Sequence, residues 1–255
     1  MMRKTVLRTL AAIVLVSVML VAVPAYAAPG APRIPGLRLS TSTNWSGYAV
    51  ETNLVSPQIN AVTDVKGSWT VTAVTKTSVN AYSASWIGID GYSSGTVEQI
   101  GTEADWVNGQ AVYSAWYEMY PKWSKTISTL TIKPGDVMTA EVKYTSQKAF
   151  VLTLKDTTTG KSFTTTQKSG SAKRSSAEWI VEAPWSGGTL PLANFGVIPF
   201  TGAAATINGH GGAIDDPLWQ YDPLTMVGSS GNTLATPSLL SLYGSAFSMT
   251  WQDCN

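Results

Sequence analysis

Four short segments set carboxylates or amides among aromatic side chains. They are Asn44-Trp45-Ser46-Gly47-Tyr48, Ser85-Trp86-Ile87-Gly88-Ile89-Asp90-Gly91 with Val97-Glu98-Gln99-Ile100-Gly101, Tyr113-Ser114-Ala115-Trp116-Tyr117-Glu118-Met119-Tyr120-Pro121, and Ala177-Glu178-Trp179-Ile180-Val181-Glu182. In an extended strand, alternate side chains share a face. That rule groups Trp116, Glu118 and Tyr120, then Trp86, Gly88 and Asp90, then Glu178, Ile180 and Glu182. Several strands would then present an aromatic beside a proton-carrying or hydrogen-bonding group. Such a face, if concave, forms a groove for an extended polymer. Taken singly each residue has a plainer reading. A strand tryptophan is ordinarily core, a glutamate at a strand end is ordinarily solvated, and Asp90 before Gly91 suits a turn.

The rest of the inventory narrows the chemistry. One histidine, His210, sits in Asn208-Gly209-His210-Gly211-Gly212, and the one cysteine, Cys254, is the penultimate residue. A Ser-His-Asp or Cys-His site would have to use His210. A zinc site ordinarily needs three or four His, Cys or carboxylate ligands. Neither a phosphate-binding loop nor a dinucleotide fingerprint is present. Any catalysis therefore falls to carboxylates and amides, and no metal or cofactor is expected.

The elements that would position these groups read as strands. Residues 137–144 place Met138, Ala140, Val142 and Tyr144 on one face, and residues 149–155 do the same with Phe150, Leu152 and Leu154. This period of two marks half-buried antiparallel strands. Turn signals punctuate them at Lys133-Pro134-Gly135-Asp136, Thr159-Gly160 and Gly187-Gly188. No convincing helix of ten residues or more follows residue 27. The pattern predicts an all-β sandwich or jelly roll.

The first 27 residues read as a secretory signal peptide. Arg3, Lys4 and Arg8 precede a 14-residue apolar run over residues 10–23, and Ala25-Tyr26-Ala27 supplies the cleavage pattern. The run is short of the roughly 20 residues that span a bilayer. Residues 28–42 read as an arm or short pro-segment, and residues 43–255 as the folded domain. Removing residues 1–27 takes away three basic and no acidic residues, leaving 14 basic against 16 acidic and a formal charge of −2. That balance gives no footprint for nucleic acid or, after signal cleavage, for a membrane. A secreted monomer is expected. With one cysteine it forms no internal disulfide, so packing must stabilise it, and its ten tryptophans are available for that.

Together the motifs resemble the glutamic peptidase (eqolisin) family. The resemblance rests on Asn44-Trp45-x-Gly47, Trp86-x-Gly88-Ile89-Asp90-Gly91, Gln99-x-Gly101, Ala115-Trp116-Tyr117-Glu118-x-Tyr120-Pro121 and Ala177-Glu178-x-Ile180-x-Glu182. Asn194-Phe195 through Phe200-Thr201 and Thr225-Met226-Val227 extend it, so that it spans roughly residues 43–252. It implies two packed antiparallel sheets of the concanavalin A-like jelly-roll type. It implies an acid endopeptidase acting on proteins or peptides without a metal. Gln99 and Glu182, rather than Glu178, fall on the catalytic positions, and Trp86, Asp90, Trp116 and Glu118 on positions that line or support the cleft. Where the family has an aspartate four places after the glutamine, this chain has Glu103, with Asp105-Trp106 just beyond. The alternative from another class is a carbohydrate-active or carbohydrate-binding jelly roll. There Glu118 and Glu182 would serve as a carboxylate pair.

Overall fold

The computed structural model describes residues 40–241 and 243–255. The expected signal peptide and most of the expected arm therefore lie outside the described residues. The chain forms strands β1 (Ser40–Ser42), β2 (Trp45–Glu51), β3 (Val62–Thr70), β4 (Ala84–Ile89), β5 (Val97–Val107), β6 (Gln110–Tyr120), β7 (Lys125–Thr126) and β8 (Val137–Tyr144). It continues with β9 (Ala149–Asp156), β10 (Ser162–Lys168), β11 (Ser176–Glu182), β12 (Val197–Ile207), β13 (His210–Ala213), β14 (Gln220–Val227), β15 (Thr233–Pro237) and β16 (Phe247–Trp251). No helix occurs among the described residues, and none there is long and apolar enough to cross a membrane.

Hydrogen bonding links the strands in the order β10-β9-β8-β3-β12-β16-β15-β14-β2-β11-β4-β5-β6-β7, with β1 beside β14 and β13 beside β12. Among the described strand pairs, only β1–β14 is parallel. The path does not close, but it doubles over. β3 lies against β4 and β11, and β8 and β9 lie against β5. The result is the expected two-layered antiparallel sandwich. β1 also shows that the sheet starts three residues before the expected domain boundary.

Alternation explains what each layer buries. On β8 and β9 the expected residues, Met138, Ala140, Val142, Phe150, Leu152 and Leu154, face the core and are at most 1% exposed. From the opposite layer come Tyr48 and Val50, Ile87 and Ile89, Ile100, and Trp179 and Val181. Burying one such large side chain contributes about 1.5–3 kcal/mol. Two tryptophans also bond across the layers: Trp179 Nε1 donates to the Lys66 carbonyl at 2.6 Å, and Trp69 Nε1 donates to Thr102 Oγ1 at 2.9 Å. A buried indole N–H left unpaired would be costly. These bonds satisfy it and fix how the layers sit on each other.

The outward face of the β14-β2-β11-β4-β5-β6 layer carries the remaining motif residues. Pairing sets them in rows. One row runs Leu224, Gly47, Ile180, Trp86, Gly101 and Trp116. A second cluster of buried apolar residues, including Ala49, Ala84, Trp86, Val97, Trp116 and Ile180, floors this face. Gly101 makes room for Trp86, because a Cβ there would sit 2.4 Å from the Ser85 carbonyl oxygen and 2.6 Å from Trp86 Cβ. Gly101→Ala should therefore lower stability by about 1–3 kcal/mol, the usual cost of overpacking. Urea denaturation of the two proteins at one pH checks this.

Candidate active site

A cleft of about 1080 Å³ opens on that outward face, with Gln99, Glu103, Trp116, Glu118 and Glu182 among its walls. Strand alternation brings the groups here. Val97, Gln99 and Glu103 of β5 point to the cleft, while Ile100 points to the core. On β11, Glu178, Ile180 and Glu182 share the outward face as expected, with Trp179 and Val181 inward.

Glu182 ends β11, paired with Trp45 on one side and Ala84 on the other. Its two oxygens take different donors. Trp86 Nε1 donates to Oε2 at 2.9 Å, and Asn44 Nδ2 donates to Oε1 at 3.1 Å. Burial raises its carboxyl from 4.5 to about 7; hydrogen bonds from Trp86, Trp45 and Asn44 pull it down, and the nearby Glu118 pushes it up. Gln99 lies two strands away on the same face. Its Nε2 donates to Glu118 Oε2 at 2.7 Å, and its buried Oε1 has no protein donor among the described residues. By register, Trp86 stands diagonally between Gln99 and Glu182. Burial also holds the Glu118 carboxyl above the ordinary range, although the Gln99 bond opposes this.

The other expected site residues take distinct places. Trp116 forms part of the floor and lines the cleft. Trp86 is fully buried, and its ring N–H reaches Glu182 from beneath. Asp90 is more than a turn residue. It has φ 72° and is fully buried, and it accepts the backbone N–H groups of Lys173, Arg174 and Ser175 at 2.6–2.9 Å. It thereby ties the end of β4 to the segment entering β11, supporting the cleft rather than lining it. Glu178 is fully buried and does not reach the cleft, which separates it from Glu182. His210 is half-exposed on β13, paired with Asp216 at 3.0 Å and absent from the cleft walls.

Three further groups stand at or near the cleft, with no role assigned from sequence to Asn44, Glu103, Glu51, Glu98 or Asp222. Asn44 had appeared only within its motif, but it touches Glu182. Glu103 lines the cleft and accepts Ser114 Oγ at 3.0 Å; its i+4 relation to Gln99 was the available signal. The third is a set of carboxyls beneath one end of the face: Glu51, Glu98, Glu178 and Asp222 with Asp90. Ser93 donates to Glu51, and Tyr92 donates to Asp222 at 2.5 Å. These residues come from five strands or strand ends, so no local pattern reveals them.

These groups share one cleft-bearing face of an all-β sandwich, where carboxyls, an amide and indoles meet. The chain belongs to the Peptidase A4 family, which matches residues 43–236. It is 39% identical over 131 residues to aspergillopepsin-2 of Aspergillus niger, covering 49% of this chain and 46% of that one. It is 36% identical over 149 residues to scytalidopepsin B of Scytalidium lignicola, covering 54% and 56%. The chain thus spans about half the length of these curated relatives. A crystal structure of scytalido-glutamic peptidase with a peptide-based transition-state analogue superposes with a TM-score of 0.67 at 26% identity, covering 84% of this chain and all of that one.

The buried carboxyls give a definite sign to the pH dependence of stability. Burial raises Glu51 to about 7 and Glu98 to about 8, and lifts Glu178 well above 4.5. The folded state then binds protons that the unfolded state has released. Stability is full below the unfolded value near 4.5 and falls as pH rises toward about 8. Each such group contributes a slope of about 1.4 kcal/mol per pH unit within its window. Melting temperature should therefore fall steadily from about pH 4.5 to 8, and Glu98→Gln should flatten the slope. Calorimetry across that range checks both, and a melting temperature that climbed would contradict the burial argument.

Proposed function

We propose that the protein is a secreted endopeptidase that hydrolyses peptide bonds in acid with Glu182, Gln99 and a water molecule. The observation that carries this reading is the pairing of roles in one cleft. A carboxyl gripped by two N–H donors faces the same groove as a neutral amide. A groove with aromatic walls suits a polypeptide, and the relative crystallised with a peptide-based transition-state analogue shares the fold. The N-terminal leader supports export, and the enzyme acts as a monomer outside the cell.

The reaction divides between the two residues. Ionised Glu182 takes a proton from water as the water oxygen bonds to the carbonyl carbon. The carbonyl oxygen becomes an oxyanion, which accepts a hydrogen bond from Gln99 Nε2. The protonated Glu182 then gives its proton to the amide nitrogen as the C–N bond breaks, leaving an acid and an amine. Positioned proton transfer supplies about 10²–10⁴-fold, and one oxyanion donor about 2.7–4 kcal/mol. Glutamine suits the second role because it donates without titrating. Glu118 accepts from one N–H of Gln99 and so orients the amide.

The pH dependence follows from the same groups. The base step needs ionised Glu182, whose carboxyl burial raises to about 7. Turnover is lost as pH falls below that range, while the buried carboxyls lose the fold as pH rises. On these values alone the window lies near pH 7; cleavage in acid requires that water or bound substrate keep Glu182 ionised below that value.

Glu182→Gln should fold and lose activity by about 10³-fold or more, since both proton transfers disappear. Gln99→Ala should lose about 10²–10³-fold. Mass spectrometry of a denatured protein substrate, with a chelator present and folding checked by circular dichroism, measures both. Near-normal cleavage by either folded variant would sink the assignment.

A further inference from the structure

Asn44-Trp45-Ser46 has the form of an N-glycosylation acceptor, but its atoms are already committed. The acceptor nitrogen, Asn44 Nδ2, is the atom that donates to Glu182 Oε1 at 3.1 Å. The Ser46 hydroxyl is buried and donates to the Leu224 carbonyl at 3.0 Å. The other half of the Asn44 amide is fixed too, because Ser42 Oγ donates to Oδ1 at 3.3 Å. With a hydroxyl donor on Oδ1, the amide has one sensible orientation, and its NH₂ must face Glu182. Ser42 in turn accepts the backbone N–H groups of Asn44 and Trp45 at 3.4 and 3.1 Å. The Asn44 carbonyl accepts the N–H of Ala183, the residue after Glu182, at 2.8 Å. Side chain and backbone of Asn44 are thus both laced to the end of β11.

We propose that Asn44 is a positioning residue of the cleft, and that its amide, locked by Ser42, holds one oxygen of Glu182 in the orientation that proton transfer requires. This rests on the assignment of Glu182 under the proposed function. Each carboxylate oxygen offers about two acceptor sites. Asn44 donates to Oε1 and Trp86 to Oε2, with Trp45 a further donor, so the carboxyl keeps acceptor capacity for a water. The acidic group that acts on Glu182 is Glu118 of β6; Glu103 of β5 lines the same cleft. Asn44 is therefore a neutral donor that, with Trp86 and Trp45, favours the ionised carboxylate against burial and the charge of Glu118. A glycan on Asn44 Nδ2 would replace one of its two N–H bonds and crowd the contact with Glu182, so the acceptor pattern serves the cleft rather than modification.

The test is the pH profile of kcat/KM on a synthetic peptide for the full secreted chain and its variants. Asn44→Ala should move the acid limb upward by about one pH unit and lower the plateau kcat roughly tenfold, with KM little changed. Asn44→Asp keeps the shape but replaces the donor with another acid, so its limb should move up at least as far. Ser42→Ala, which frees the amide without touching Glu182, should shift the limb in the same direction by less. If Asn44→Ala fails to fold, the other two variants decide. An unmoved limb in Asn44→Asp, alongside an inactive Glu182→Gln, would overturn this role and leave the assignment of Glu182 standing. Full turnover in Glu182→Gln would overturn both.

Discussion

The structure depends on burying carboxyl groups without basic partners. Among the described residues the ion pairs are Lys66 with Asp64 and Glu141, and His210 with Asp216. None reaches the cleft. Glu51, Glu98, Glu178 and Glu182 are instead surrounded by hydroxyls, indoles, backbone and one another. An unpaired buried charge costs far more than a protonated acid, so these groups hold protons at pH values where free carboxyls have lost them. The same condition that makes the fold prefer acid also raises the basicity of Glu182, as the proposed proton transfer requires. Stability and chemistry draw on one physical cause.

The sandwich makes this arrangement possible by giving each strand of one layer two different neighbours. The inward face of β11 supplies Trp179 and Val181 to the core, and the outward face supplies Glu182 to the cleft. On β5, Ile100 and Gln99 divide the same way. A one-residue slip of either strand would exchange core and site completely. The cross-layer bonds of Trp69 and Trp179 guard against that slip. They tie β5 and β11, the strands that carry the amide and the carboxyl, to the layer behind them.

Much of the fold was legible in the sequence because alternation is local. The patterns on β8 and β9 named their buried residues correctly, and the outward grouping on β6 and β11 held. The likeness to the eqolisins picked out Gln99 and Glu182, which periodicity alone could not distinguish from Glu98 and Glu178. What the local pattern does not carry is non-local. Asp90 looks like a turn residue until the 173–175 segment folds over it. Asn44 becomes important only once β2 pairs with β11. The cluster of Glu51, Glu178 and Asp222 needs three strands from distant parts of the chain set in register.

The least local step is the convergence of Gln99 and Glu182 on one reacting carbon, since Trp86 stands between them on the sheet. A crystal structure of the protein with a peptide carrying a non-hydrolysable tetrahedral centre addresses it directly. The account predicts that one oxygen of that centre accepts a hydrogen bond from Gln99 Nε2 while the Glu182 carboxyl contacts the other. A tetrahedral centre seated in the cleft but touching only one of the two residues, or neither, would contradict it.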